Sequence, residues 1–149
     1  MEDKLVINQL VAEKLKEFRD KGENKISYNY SYPVTFDFGA STDGTSQVQK
    51  ITVSGSQLFI FNQINFCSDG DFDIMLKDVA TGRVLSEQAI NSQVFSDENF
   101  TVSQYKGIHR LDIPKIIDGN GELNIIIYNR STSANTVKLN FKGVSINSR

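Results

Sequence analysis

The stretch from Gly121 to Ile146, GELNIIIYNRSTSANTVKLNFKGVSI, constrains the fold more than any other part of the chain. Leu123, Ile125 and Ile127 alternate with Asn124, Ile126 and Tyr128; further on, Val137, Leu139 and Phe141 alternate with Lys138, Asn140 and Lys142. Successive side chains of a strand point to opposite faces, so the pattern predicts two strands, each with one fully apolar face. Between them lie Asn129, Ser131, Thr132, Ser133 and Asn135, whose side chains bond nearby backbone and favour turns. The pair is expected to form a hairpin, with Ile125 and Leu139 inward and Asn124 and Lys138 outward. A hairpin cannot bury such a face alone, so the remaining chain must cover it.

With 149 residues the chain is expected to form one domain with its own core. Its 39% hydrophobic and 23% charged residues argue against disorder. A formal net charge of -2 removes any broad electrostatic case for nucleic acid as a partner. Lys14, Lys16, Arg19 and Lys21 are dense but interleave with Glu13, Glu17 and Asp20, the pattern of a solvated helix face. One cysteine, Cys67, excludes an internal disulfide framework and a cysteine-cluster zinc site; in LFIFNQINFC it reads as a small core hydrophobe. No run approaches the roughly 18 apolar residues of a membrane span, and the first residues are charged. A soluble protein of a reducing compartment, with no membrane partner, is therefore expected. On that ground the glycosylation tripeptides at Asn99 and Asn129 are set aside.

Residues 3–21 predict a helix. Ile7, Leu10, Val11, Leu15 and Phe18 recur at spacings of three and four, Asp3 is a candidate cap, and Gly22 a stop. Residues 1–22 are thus expected to form an N-terminal helical arm and residues 26–149 a β-sandwich domain. The stripe either packs on the chain's own sheet or docks on a neighbouring subunit. Its five residues are taken as candidate partner-binding residues, and the sandwich is expected to fold without the arm. After the Glu23-Asn24-Lys25 hinge the period changes to two. Ile26, Tyr28, Tyr30, Tyr32, Val34, Phe36 and Phe38 occupy every even position, and Pro33 on the polar side predicts an edge strand or a break. Sheet core is the commoner fate of such a stripe, but tyrosine hydroxyls suit an interface, so Tyr28, Tyr30 and Tyr32 form a second candidate partner-binding set.

Downstream, strands are expected around Val48–Val53, Leu58–Cys67 and Phe72–Leu76, the second apolar on both faces and hence covered from both sides. Phe95, Phe100 and Val102 are expected to be buried, and a short strand around Ile108–Ile113 to stop at Pro114. Eight or nine short strands with regular turn signals predict an all-β, antiparallel, jelly-roll-like β-sandwich with an N-terminal amphipathic helix.

Chemistry is sparse. His109 and Asp112, three residues apart on a strand, point to opposite faces and make a poor pair. Asp69, Asp71 and Asp73 resemble the opening of a calcium loop, yet Ile74 stands where the glycine belongs and Ala80 where the bidentate glutamate belongs. They read as acids on the outer face of a strand. No catalytic, metal or cofactor-binding residue is assigned, and no enzyme is expected.

Residues 57–146 resemble a β-sandwich module of tailed-bacteriophage virion proteins. The resemblance lies in Phe72 to Leu85 (FDIMLKDVATGRVL), the Leu111-Asp-Ile-Pro segment, Leu123 to Asn129, and the closing Val137-Lys-Leu-Asn-Phe-Lys-Gly-Val pattern. It implies a non-enzymatic virion structural protein, assembled in the host cytoplasm, that decorates or joins capsid or tail-machine subunits in multiple copies. Its partners would be other virion proteins and copies of itself. The alternative is a carbohydrate- or receptor-binding β-sandwich, which the five tyrosines favour and the absence of tryptophan disfavours.

Overall fold

The computed structural model describes residues 2–79, 81–82, 85–96, 98–101 and 105–148. A helix, α1 (Glu2–Asp20), precedes four strands: β1 (Lys25–Phe38), β2 (Ser46–Thr52), β3 (Leu58–Ser68) and β4 (Phe72–Asp78). The short strand β5 (Ile90–Asn91) leads into a helical turn, α2 (Ser92–Phe95). Then come β6 (Glu98–Thr101), β7 (Lys106–Ile117), β8 (Glu122–Asn129) and β9 (Asn135–Ser148).

The strands form two antiparallel sheets, ordered β1-β9-β3-β7-β6 and β2-β8-β4-β5. Leaving aside β6, which extends the edge beside β7, the pairings are nested: β1 with β9, β2 with β8, β3 with β7, and β4 with β5. A chain that pairs first with last, and so on inward, and is then rolled into two facing sheets is a jelly roll. The expected fold class is the observed one. Between the sheets lie Val34, Phe36, Phe38, Phe59, Phe61, Ile64, Phe72, Ile74, Ile125, Ile127, Leu139 and Phe141, all buried.

The expected hairpin does not form. β8 sits between β2 and β4, whereas β9 sits between β1 and β3 in the other sheet. Their apolar faces do both point inward, with Ile125 and Leu139 buried and Lys138 exposed, but they meet across the sandwich. The linker is a crossing between layers, and its polar side chains hold the corner. Asn135 Nδ2 donates to the Asp71 carbonyl at 3.0 Å and to Asn129 Oδ1 at 3.1 Å, and Asn135 Oδ1 accepts from the Gly70 N–H at 3.0 Å. Asn129 Nδ2 donates to Thr42 Oγ1 and to the Ser131 carbonyl. Both amides are fully buried, so losing either would strand backbone groups without partners.

α1 ends as expected. Gly22 has φ +80°, the Glu23 N–H reaches the Phe18 carbonyl at 2.9 Å, and the Gly22 N–H reaches the Arg19 carbonyl at 2.9 Å. That pair of bonds is a Schellman cap, which needs a residue at ease in the left-handed region. The strand expected to stop at Pro114 instead runs on to Ile117, as β7. Its ladder with β3 is interrupted between Arg110 and Lys115, so Pro114 falls where no backbone donor is required, and Ile113 is 82% exposed. Opposite that irregularity β9 carries Gly143, where a Cβ would overlap the Ile60 carbonyl oxygen. Phe95 is buried as expected. Phe100, Val102, Ala80 and the cap at Asp3 lie outside the described side chains.

Candidate interaction surface

Strand β1 pairs with β9 without a break, from Lys25 opposite Ser148 to Phe38 opposite Asn135. Its even side chains all point to the inner face, yet they meet two environments. Val34, Phe36 and Phe38 are buried beneath the second sheet, whereas Ile26, Tyr28 and Tyr30 are 41%, 38% and 44% exposed. The second sheet is shorter: β2 and β4 have 7 residues each and β8 has 8, against 14 in β1 and β9. The tyrosine half of β1 therefore overhangs it.

On the overhang the rings form a ladder. Tyr28 and Tyr30 meet edge to face at 6.0 Å between centroids, and Tyr30 and Tyr32 at 5.0 Å. Phe59 of the core meets Tyr32 at 4.7 Å and Tyr30 at 6.4 Å, so the core holds the row from its Tyr32 end. Burial, with the nearby Tyr30 and Tyr28 hydroxyls adding to it, raises the Tyr32 pKa above the ordinary tyrosine value. Tyr28 Oη accepts a hydrogen bond from Asn147 Nδ2 on β9. Edge-to-face pairs of this kind contribute about 0.5–1.5 kcal/mol beyond their area, enough to set the row in one arrangement.

β1 is an edge strand, and its outward backbone groups are treated differently along its length. Gln47 Nε2 donates to the Asp37 carbonyl at 2.6 Å, and Gln49 Nε2 donates to the Thr35 carbonyl. These two side chains from β2 close the far half of the edge. Because outward groups alternate, Ser27, Asn29, Ser31 and Pro33 are in phase with Thr35 and Asp37. Pro33 has no N–H to leave unpaired. Ser27 and Asn29 lie on the exposed stretch, with no charge between Lys25 and Pro33.

The helix stripe has a different fate. Ile7 and Val11 are 6% and 8% exposed, packed with Leu58, Ile60 and Ile146 on the outer face of the longer sheet; Leu10, Leu15 and Phe18 border the same cluster with Ile116 and Val144. The structure places this candidate partner-binding set against the chain's own sheet, and with it the cover that β3 needs. Leu58, Phe59, Ile60 and Phe61 are all buried, two facing the helix and two the sandwich core. The arm is therefore not set off from the domain. Lys25 ties it down further, its Nζ lying 4.7 Å from the centre of the Phe18 ring.

Between the helix and β1 runs a groove of about 820 Å³, which sequence reasoning missed. It is lined by Asn8 of the helix, Asn29 and Ser31 of β1, Asn62 and Gln63 at the β3 irregularity, Arg110 of β7 and Lys142 of β9. These residues come from five elements, and no local spacing links them. The exposed polar phase of β1 was the only legible part.

The residues considered for chemistry hold structure together. His109 stacks on Phe95 at 4.1 Å and 13°, with Nδ1 2.7 Å from the Phe95 carbonyl oxygen. Asp71 is half-buried rather than a bare surface acid. It accepts from Asn91 Nδ2 at 2.9 Å and Ser92 Oγ at 2.7 Å, so it ties α2 to β4. Asp73 takes a second contact from Asn91 and pairs with Arg130 at 2.8 Å, while Asp69 accepts from the Thr136 N–H. Among the described residues no group of three His, Cys, Asp or Glu side chains is placed to hold a metal ion, and no helix is long and apolar enough to cross a membrane.

No family model and no curated protein matches the sequence. Solved structures that align with it include the cyanophage Pam1 capsid asymmetric unit, at 9% identity over 83% of this chain and 86% of that one, with a TM-score of 0.46. An infectious bursal disease virus Gt strain structure aligns at 10% identity over 82% of this chain, which spans about a third of that one (32%), with a TM-score of 0.39. A family 29 carbohydrate-binding module complexed with cellulohexaose aligns at 12% identity over 82% of this chain and 80% of that one, with a TM-score of 0.34. These likenesses are weak, and the fold assignment rests on the strand pairing itself.

Proposed function

We propose that this chain is a non-enzymatic structural protein of a virus particle, a jelly roll that decorates or joins capsid or tail subunits in multiple copies. The observation that carries the reading is the uncovered inner face of β1, where Ile26, Tyr28 and Tyr30 stand exposed on a strand paired with β9 along its whole length. Amphipathic rings with little rotamer entropy to lose, fixed on a strand, suit protein contact. The resemblance of residues 57–146 to phage virion modules supports the setting. Partners in this reading are other virion proteins and further copies of the chain, and the location is the virion. Ile7, Leu10, Val11, Leu15 and Phe18 act by keeping the outer sheet face closed; they reach a neighbour only by exchange of the helix between copies.

Particles collected from the producing culture and labelled with antibody against the chain test this. Wild type is expected to label particles, and Tyr28→Ser with Tyr30→Ser to remain folded yet be absent from them. Equal incorporation of the double variant would remove the tyrosine strand as the attachment surface. The second reading, a glycan-binding module, is favoured by the amide-lined groove with Arg110 and Lys142. Saturable binding on a glycan array, lost on Asn62→Ala with Gln63→Ala, would establish it instead.

A further inference from the structure

The open half of the β1 edge is self-complementary, and we infer that two copies of this chain pair there, β1 against β1, antiparallel about a two-fold axis at Asn29. The inference rests on the reading of the tyrosine strand as a contact surface and names its partner. Three observations lead to it. The edge is closed by Gln47 and Gln49 beyond Pro33, but over Ile26–Tyr30 it has no such cover among the described residues and no inward charge, the usual protections of an edge strand. The groups that point outward there belong to Ser27, Asn29 and Ser31, all uncharged, so nothing repels a second strand.

The third observation is register. Centring the pair on Asn29 places Asn29 opposite the second copy's Asn29, and Ser27 opposite the second copy's Ser31. Each of the three residues then gives one N–H and receives one. Tyr28 falls opposite the second copy's Tyr30, and Ile26 opposite the second copy's Tyr32. These are the closely spaced, non-hydrogen-bonded positions, where cross-strand rings touch. Lys25 falls opposite Pro33, so the two lysines do not face each other, and the proline removes a donor only at the end of the ladder. The two longer sheets become one continuous sheet, with both tyrosine rows on the same face. Shifting the pair by two residues one way would keep the tyrosines opposite one another but bring Pro33, which has no N–H, opposite Ser27 inside the ladder; shifting it the other way would leave Tyr28 opposite Tyr28 as the one Tyr–Tyr pair and draw the helix cap towards the ladder.

The full chain carrying Cys67→Ser tests the pairing through single cysteines under mild oxidation. Hydrogen-bonded antiparallel partners lie about 5.5 Å apart at Cα, within disulfide reach. Asn29→Cys is expected to cross-link nearly completely to a dimer. Ser27→Cys alone is not, but a mixture of Ser27→Cys and Ser31→Cys chains is expected to form the heterodimer. Light scattering during size exclusion of wild type should show a dimer. Asn29→Pro should give a monomer with an unchanged circular dichroism spectrum, because the N–H it removes points away from β9. Equal cross-linking at Asn29 and Ser27, or a dimer that survives Asn29→Pro, would overturn the register. A wild-type monomer that fails to cross-link, while Tyr28→Ser with Tyr30→Ser still abolishes particle labelling, would overturn the pairing and leave the tyrosine surface to a different protein.

Discussion

The two halves of β1 carry the same period-two pattern and lead different lives. Val34, Phe36 and Phe38 are sealed between the sheets; Ile26, Tyr28 and Tyr30, on the same face of the same strand, meet solvent. Alternation states which face a side chain takes. It does not state whether anything lies over that face, because cover depends on where the opposite sheet ends. The residue types record the difference after the fact. Phenylalanine and valine occupy the sealed half; the open one holds Tyr28 and Tyr30, with hydroxyls to keep wet, beside Ile26.

The largest effect should come from the sealed half. Phe36→Ala is expected to cost about 3–5 kcal/mol, read from denaturant melts, because a fully buried ring leaves a cavity. Tyr30→Ala should cost far less, within the range of a partly exposed contact. If the two prove equally mild, the boundary between the halves is misplaced.

A smaller loss is expected on the opposite side of the same sheet. Ile7→Ala should cost about 2 kcal/mol, the low end for a buried isoleucine, since the helix has solvent on its other side. An arm independent of the domain would show no change. The measurement therefore decides whether the outer face at this end is closed by α1 while the inner face stays open.

The smallest effect is one of pH. Tyr32 sits at the junction of the two halves with a raised pKa, so the folded state holds its phenol proton longer than the unfolded chain does. Its contribution to stability is present below the unfolded value of about 10 and is lost as pH rises from there through the raised one. Ultraviolet titration of tyrosinate should show a late-titrating component that Tyr32→Phe removes. Five tyrosines titrating together would mean that Tyr32 is as open as Tyr30.

Much of the layering was legible. The run Leu58–Phe61 announced a strand covered on both sides, and the spacing of Ile7, Val11 and Phe18 announced a helix with one apolar stripe. That the stripe is the cover for Leu58 and Ile60 was not legible, since both sequences state a need and neither names its partner. The same holds for the candidate surface. Tyr28, Tyr30 and Tyr32 were visible as a set, whereas Asn8, Asn62, Gln63 and Arg110 become neighbours only when the helix crosses four strands.

Each segment states its own local facts: a helix over residues 3–21, observed as Glu2–Asp20, a stop at Gly22, and Ile125, Ile127, Leu139 and Phe141 on apolar faces that turn inward. These follow from dihedral preferences and from a side-chain period of two or 3.6, which each segment carries within itself. The fold alone sets β8 and β9, adjacent in sequence and alike in pattern, in opposite sheets. It also decided that β1 outruns its cover. Backbone ladders are chemically the same whichever strands they join, so the choice of partner comes from nested long-range closure and relative strand length, and neither is written in any one segment.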